Sequence, residues 1–262
     1  MTIDTAGAAK PSFGVGGRIG ETFSIFGSRF GIFAGIGIVW GLITQIPTYL
    51  ALGTIPTVTD SFDPGTSSPM QTMMIESPLS YVVVFFLLPT ILYALMTGML
   101  TLAAYDARTG RAPSMARYIA AAIKQSLWLI VLTILVSIIM GIGFALFLIP
   151  GLWLLGVFGP FVPVLMIEKL GFGTLGRTKQ LTKEYRWPIV GFLVLVYIVV
   201  IVGSLVVGFL GALLPGVIFF LLQGAVAGFT TAIFSIATAV CYARLREIKE
   251  GVGFDDLADV FA

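Results

Sequence analysis

The chain has 262 residues, of which 58% are hydrophobic and only 11% are charged, and its formal net charge is +2. A soluble domain carries about a quarter charged residues, so this chain has too little polar surface to cover a water-soluble globule. It contains one cysteine and no histidine, which excludes a disulfide framework, a Ser-His-Asp triad and an imidazole metal site. We therefore predict an all-α integral membrane protein with no cofactor.

The N-terminal residues 1–12 are small and mostly polar, and predict a mobile tail. No apolar stretch precedes Arg18, so we expect no signal peptide. A single membrane domain is predicted over 13–243, followed by a cytoplasmic tail over 244–262.

The fifteen Lys and Arg residues fall into four groups along the chain. The stretches between these groups, 30–107, 125–168 and 187–243, contain no basic residue. Because one crossing takes about 20 helical residues, each stretch can hold two crossings and return to the side on which it began. The positive-inside rule then predicts that all four groups and both termini lie on the cytoplasmic side of the membrane.

Six transmembrane helices are predicted, arranged as three helical hairpins over about 13–105, 112–168 and 171–243. The predicted spans are 30–52, 79–104, 126–149, 151–167, 188–212 and 216–242. The three hairpins resemble one another in sequence pattern, which predicts a threefold internal repeat.

The outer ends of the hairpins carry different turn signals. The first outer loop, about 53–78, contains acidic residues and prolines but no basic residue. The other two turns are short and are predicted at 148–151 and 213–216, because each contains Pro-Gly. The fourth span is short and contains Gly159 and Pro160, so it is either a full, kinked span or a re-entrant segment.

Each hairpin is entered through a cytoplasmic segment for which an amphipathic interfacial helix is predicted. The apolar stripe of the first segment is Val15, Ile19, Phe23, Phe26 and Phe30. That of the second is Met115, Ile119, Ala122, Ile123 and Leu127. The third is less regular, with Phe172, Leu175, Leu181 and Tyr185. These helices either sense or shape the membrane surface, or simply anchor the bundle.

The predicted span interiors contain no ionisable Asp, Glu, Lys or Arg, which argues against an ion-coupled carrier and an intramembrane aspartyl protease. Small residues recur there instead, at Gly27, Gly31 and Gly35, at Gly37 and Gly41, and at Gly224 and Gly228. This spacing lets helix backbones approach closely, either within one bundle or between two copies. Cys241, at a helix end, is either an inert thiol or a palmitoylation site.

The C-terminal part of the chain carries a family resemblance. The run Cys241-Tyr242-Ala243-Arg244-Leu245-Arg246-Glu247-Ile248-Lys249-Glu250-Gly251 is followed by Phe254-Asp255-Asp256-Leu257. Together with an Ile-Pro-Gly turn, Pro163, Glu168, the stretch from Arg177 to Lys183 and Trp187, it resembles the bacterial multi-pass membrane domain attached to glycerophosphoryl diester phosphodiesterases, and its stand-alone relatives.

This resemblance implies six membrane helices, an accessory role and a location in a bacterial inner membrane. It does not imply phosphodiesterase activity, because in that family the chemistry belongs to a separate soluble barrel domain that uses histidines. The chain departs from the family at Thr178, where the family often has serine, and this leaves the role of that side chain open.

The predicted function is that of a non-enzymatic accessory subunit or membrane organiser. Its partners would be anionic phospholipids, a membrane protein or a second copy, and no nucleic acid. The residues expected to contact them are Arg18, Arg117, Lys124, Arg177, Lys179, Lys183, Arg186, Trp187, Tyr242, Arg244 and Arg246. Glu168 is expected to form a structural ion pair with Arg177 or Arg244. The alternative is a passive transporter or lipid carrier, with a cavity between helices kinked at prolines 89, 160 and 163.

Overall fold

The computed structural model describes residues 11–52, 74–211, 213–214 and 216–251, and within these ranges the chain is helical and has no strand. The helices discussed below are α1 (Val15–Ser28), α2 (Phe30–Leu52), α3 (Pro78–Arg108), α4 (Met115–Lys124), α5 (Ser126–Leu146), α6 (Leu148–Phe158), α7 (Phe161–Glu168), α8 (Gly173–Thr182), α9 (Arg186–Gly211) and α10 (Gly216–Glu250). Most of the predicted N-terminal tail and first outer loop lies outside the described residues.

Five segments are long and apolar enough to cross a membrane: Pro78–Arg108, Ser126–Leu146, Leu148–Glu168, Arg186–Gly211 and Ile218–Glu250. A sixth candidate is formed by α1 and α2, which bend by 84° at the break between them. The prediction of an all-α protein with several membrane-spanning helices is therefore confirmed.

The order of elements is the same in the three parts of the chain that were predicted as hairpins. Each part has a short helix (α1, α4 or α8) followed by two apolar segments of span length. In the second part, the second segment is divided between α6 and α7 by a break at Gly159 and Pro160. Its total length of 21 residues favours the kinked span over the re-entrant segment.

The turn between α5 and α6 lies earlier than the predicted turn at 148–151. Phe147 is the extended residue that separates the two helices, with φ −165° and ψ 160°. Pro150 and Gly151 belong to the first turns of α6 instead. A proline is tolerated in the first turn because the N–H that it lacks would have no helical partner there.

The last helix is longer than its predicted span of 216–242. Residues 244–250, predicted as the start of a tail, form the final turns of α10, and Gly251 ends the helix with a φ of 66°. Leu245 is fully buried, so this extension is packed against the protein. A glycine with positive φ is a common end for a helix because it has no Cβ to clash.

α10 is the central helix of the described bundle, and packs against α1, α2, α3, α7, α8 and α9. Its contact with α2 is unusually close, because Gly37 and Gly41 of α2 meet Gly224 and Gly228 of α10. A Cβ placed at Gly37 would lie 2.9 Å from the carbonyl oxygen of Gly228, and one placed at Gly41 would overlap the carbonyl of Gly224. These four glycines therefore serve packing within one bundle.

The other predicted glycine repeat differs in its surroundings. A Cβ placed at Gly27, Gly31 or Gly35 would meet no atom within 4 Å outside its own helix neighbourhood. Gly31 and Gly35 instead line an apolar groove between α2, α3 and α4. Gly27 belongs to α1, and within α2 the same four-residue spacing serves close packing at Gly37 and Gly41 and lines a groove at Gly31 and Gly35.

Cys241 is fully buried against α9 and neighbouring helices. We expect a maleimide reagent to label it only after the protein is unfolded, because the thiol has no access to solvent in the native state. Mass spectrometry of labelled protein before and after denaturation tests this. Rapid labelling of the folded protein would contradict the described packing and would favour the interpretation of Cys241 as a palmitoylation site.

Candidate functional site

Residues from all four basic groups meet at one end of the bundle, where ion pairs join them. Glu21 of α1 binds Arg18 at 2.7 Å and Arg108 of α3 at 3.0 Å. Arg108 also binds Glu247 of α10 at 2.8 Å, and Glu247 binds Arg244 at 3.0 Å. This first ion-pair cluster connects helices from the beginning, middle and end of the chain.

A second ion-pair cluster connects α7, α8 and α10 around Glu168. One carboxylate oxygen of Glu168 accepts a hydrogen bond from Arg177 Nε at 2.8 Å, and the other accepts one from the Tyr242 hydroxyl at 2.9 Å. Arg177 also pairs with Glu250, which binds Arg246 at 2.8 Å. Both carboxylates are thus shared between neighbouring helices.

The electrostatic effect of this cluster is clearest at Arg177, which lies outside the spanning segments. Burial alone would lower the pKa of its guanidinium, but the hydrogen bonds to Glu168 and Glu250 outweigh burial and raise that pKa above its usual value. Arg177 therefore stays charged throughout the physiological range.

A third pairing lies at the end of α3, where Asp106 is only 3% exposed. Its carboxylate accepts a 2.7 Å hydrogen bond from the hydroxyl of Tyr118 and pairs with Arg117. Tyr118 and Arg117 both belong to α4, so this buried carboxylate fastens α4 to α3. The role of Asp106 therefore depends on the approach of α4.

Several residues that were predicted to contact lipid or a partner form contacts within the protein instead. Glu168 pairs with Arg177, whereas Arg244 binds Glu247 and the backbone carbonyl of Ser12. Tyr242, predicted at the lipid interface, is only 1% exposed, because its ring packs in the core and its hydroxyl reaches Glu168. Of the two partners predicted for Glu168, the structure therefore gives Arg177 and not Arg244, and the prediction that Tyr242 contacts lipid is corrected.

Other basic residues have no carboxylate within ion-pair distance in the described part of the chain. They are Arg29, Arg111, Lys124, Lys169, Lys179, Lys183 and Arg186. The guanidinium carbon of Arg186 lies 4.6 Å from the centroid of the Trp153 ring. Arg29 donates a 2.6 Å hydrogen bond to the carbonyl of Arg111. Lys124, Lys179 and Lys183 were predicted contacts and are exposed, as is Trp187. Arg111 and Lys169 were not predicted.

The three entry helices differ in how they present their apolar stripes. In α4, Met115, Ile119 and Ile123 are 46%, 44% and 64% exposed, so this stripe is open along the helix. In α1, Ile19 packs against the core, and after α8, Tyr185 is buried. Of the three predicted stripes, that of α4 exposes three of its large apolar side chains, whereas Ala122 within it is buried.

α4 also separates two concave surfaces. On its apolar side is the groove between α2, α3 and α4, with a volume of about 640 Å³. On its polar side is a cavity of about 870 Å³, which we call the basic cavity. The basic cavity is lined in part by Asp106, Arg111, Arg117, Lys124, Lys169 and Arg246.

Two observations bear on cofactors and relatives. Among the described residues, no group of three or more His, Cys, Asp and Glu side chains is placed to hold a metal ion. Comparison of the chain with protein-family models, curated proteins and solved structures finds no match. The resemblance to the phosphodiesterase-associated membrane domain therefore stays a prediction, and the proposals below do not depend on it.

Proposed function

We propose that this chain is a non-enzymatic membrane protein that organises anionic phospholipids at the cytoplasmic face of a bacterial inner membrane, with both termini on that side. The observation that carries this proposal is the excess of cations without carboxylate partners at the same end as the exposed stripe of α4. Lys124, Lys179 and Lys183 are examples of these cations.

The physical reason is the complementarity between this end and a membrane surface. An exposed apolar stripe such as that of α4 is stabilised when it lies among acyl chains near the headgroups. Neighbouring lysines can reach lipid phosphates while their aliphatic stems remain against apolar surface. Each Lys or Arg near an anionic leaflet contributes about 1 kcal/mol of attraction, so several of them together concentrate anionic lipid around the protein.

The proposal is tested by energy transfer from the protein's tryptophans to dansyl-labelled lipid in reconstituted vesicles. Trp187 is exposed close to Lys183 in sequence, so it reports on lipid at the basic end. We expect stronger transfer to dansyl-phosphatidylglycerol than to dansyl-phosphatidylcholine. Raising the salt concentration from 0.15 M to 1 M should reduce the preference, because the screening length falls from about 8 Å to about 3 Å.

Matched variants separate surface charge from general effects of mutation. Lys179→Gln with Lys183→Gln removes two exposed cations that have no carboxylate partner, and should weaken the preference. Lys249→Gln removes a cation that is already paired with Glu184 at 3.3 Å, and should change it little. Equal transfer to both lipids at low salt would refute the proposal.

The apolar groove between α2, α3 and α4 favours a second candidate, a passive lipid carrier. Gly31 and Gly35 on one wall and Met115 and Ile119 on another leave room for an acyl chain. A carrier should speed the exchange of fluorescent phospholipid between the leaflets of reconstituted vesicles, and filling the groove by Gly35→Leu should slow that exchange. An organiser should show no such acceleration.

A further inference from the structure

We propose that the basic cavity is a binding site for a phosphate-bearing anion, held by Arg111, Lys124 and Lys169. This inference deepens the proposed function and rests on it, since it assigns one defined site within the basic end. Three parts of the fold supply these cations: the α3–α4 connection, the end of α4 and the turn after α7.

The lining of the cavity has a strong charge imbalance. Its charged side chains are five cations and one carboxylate, Asp106. Asp106 is already paired with Arg117 and hydrogen-bonded by Tyr118, and Arg246 is paired with Glu250. No carboxylate in the described part of the chain lies within ion-pair distance of Arg111, Lys124 or Lys169. A concave surface lined by one sign of charge concentrates counter-ions of the other sign.

The protein holds these cations around the cavity rather than letting them spread apart. Asp106 fixes α4 against α3 through Tyr118 and Arg117. The turn that carries Lys169 is held against α5, because the rings of Trp128 and Phe172 contact each other with centroids 4.8 Å apart. These contacts position the walls without using the ammonium groups of Lys124 and Lys169, while the Arg111 guanidinium lies 6.0 Å from the centroid of the Tyr105 ring.

The backbone at Lys169 points to the same conclusion. Lys169 has φ 55° and ψ 35°, a left-handed conformation that L residues adopt at a cost and that favours glycine at the end of a helix. A lysine therefore occupies a position that the backbone would more easily give to glycine. Strain of this kind is common where a side chain is required for function, and the cavity gives this side chain a use.

The size and walls of the cavity indicate the class of ligand. A volume of about 870 Å³ accommodates more than a phosphate group alone. Leu102, Met166 and Ile167 form an apolar part of the lining, opposite in character to the three cations. This combination suits a phosphate attached to a small organic group, either in a phospholipid headgroup or in a soluble phosphate ester.

The test compares two probes on the full-length protein purified in detergent. Native mass spectrometry measures phosphatidylglycerol binding against phosphatidylcholine, and calorimetry measures glycerol 3-phosphate binding. Tight, stoichiometric binding of phosphatidylglycerol with weak binding of glycerol 3-phosphate identifies a lipid headgroup site. Comparable binding of the soluble ester identifies a site for soluble phosphate esters. Both results support the proposal, and binding of neither probe overturns it.

Variants locate the site. Lys124→Gln with Lys169→Gln should weaken binding of the preferred probe by roughly tenfold or more, because two charge-assisted contacts are lost. Lys249→Gln removes a cation that lies outside the cavity and pairs with Glu184, so it should leave this affinity within about twofold, below the value of one such contact. Weakening by Lys249→Gln as great as that by the cavity pair would overturn the defined site while leaving the proposed function intact. The comparison of energy transfer to anionic and neutral lipid tests the proposed function independently of these variants.

Lys169→Gly separates binding from folding. Glycine relieves the left-handed backbone, so the variant should be at least as stable in thermal unfolding as the unmodified protein. It should nevertheless bind the phosphate probe more weakly, because the cation is gone. If Lys169→Gly binds the probe as tightly as the unmodified protein, Lys169 is not part of the site. If Lys124→Gln also leaves binding unchanged, the proposal is overturned.

Discussion

Gly41→Ala and Gly228→Ala are expected to destabilise the protein severely, each by roughly 3 kcal/mol or more. The added methyl group at either position overlaps a backbone carbonyl of the facing helix, Gly224 for Gly41 and Gly37 for Gly228. A backbone carbonyl cannot rotate away as a side chain can, so α2 and α10 must separate along their contact. The midpoint of thermal unfolding in detergent, followed by size-exclusion chromatography, measures the loss.

Gly35→Ala is the matched control for these variants because it lies on the same helix, α2. A Cβ at Gly35 meets no atom within 4 Å, and alanine favours the helix over glycine by about 1 kcal/mol. We expect this variant to be as stable as the unmodified protein or slightly more stable. Similar unfolding midpoints for Gly35→Ala, Gly41→Ala and Gly228→Ala would contradict the close α2–α10 contact.

Glu168→Ala is expected to cost about 3 kcal/mol of stability, a value reduced from that of a fully buried ion pair because Glu168 is partly exposed. The change leaves the buried hydroxyl of Tyr242 without its acceptor and removes one of the two carboxylates that bind Arg177. Glu168→Gln should cost less, since the amide oxygen can still accept a hydrogen bond. Thermal unfolding in detergent ranks the two variants.

A double-mutant cycle tests whether the hydroxyl of Tyr242 carries part of this cost. Tyr242→Phe removes the donor, so Glu168→Ala with Tyr242→Phe should lose less stability than the sum of the two single changes. Glu184→Ala serves as a control, because its pair with Lys249 is more exposed and such pairs contribute about 1 kcal/mol or less. If Glu168→Gln is as stable as the unmodified protein, and if the effects of Glu168→Ala and Tyr242→Phe are strictly additive, the ion-pair cluster around Glu168 has no structural role.

The membrane class and the approximate spans were predictable from the sequence. The predicted first span, 30–52, has the same limits as α2, and the basic residues that flank the apolar stretches do gather at one end. Such predictions succeed because the bilayer fixes the length of a crossing and opposes charge within it. They depend on local composition alone.

The partners of the individual charges were not predictable in the same way. Which carboxylate binds Arg244 or Arg177 depends on the faces that distant helices present to each other, and composition does not specify those faces. Arg111 and Lys169 were missed for this reason, since neither lies on a recognised stripe. Tyr242 was misplaced because an aromatic residue at the end of an apolar stretch is typical of the interface.

The extension of α10 beyond residue 243 had a signal that was available in the sequence. Arg244 and Glu247 are three residues apart, and Arg246 and Glu250 are four apart, spacings that bring opposite charges together on a helix. Both pairs form in the structure, at 3.0 Å and 2.8 Å. Charge spacing therefore indicated a continuing helix where falling hydropathy indicated a tail.

The contact between α2 and α10 has a consequence for biosynthesis. α2 is the first apolar span of the described chain to be made, and α10 is the last. The glycine surface of α2 therefore remains without its partner until synthesis of the membrane domain is nearly complete, and both shared ion-pair clusters likewise await α10. Insertion of the individual helices and closure of the bundle are consequently separate stages, and closure requires α10.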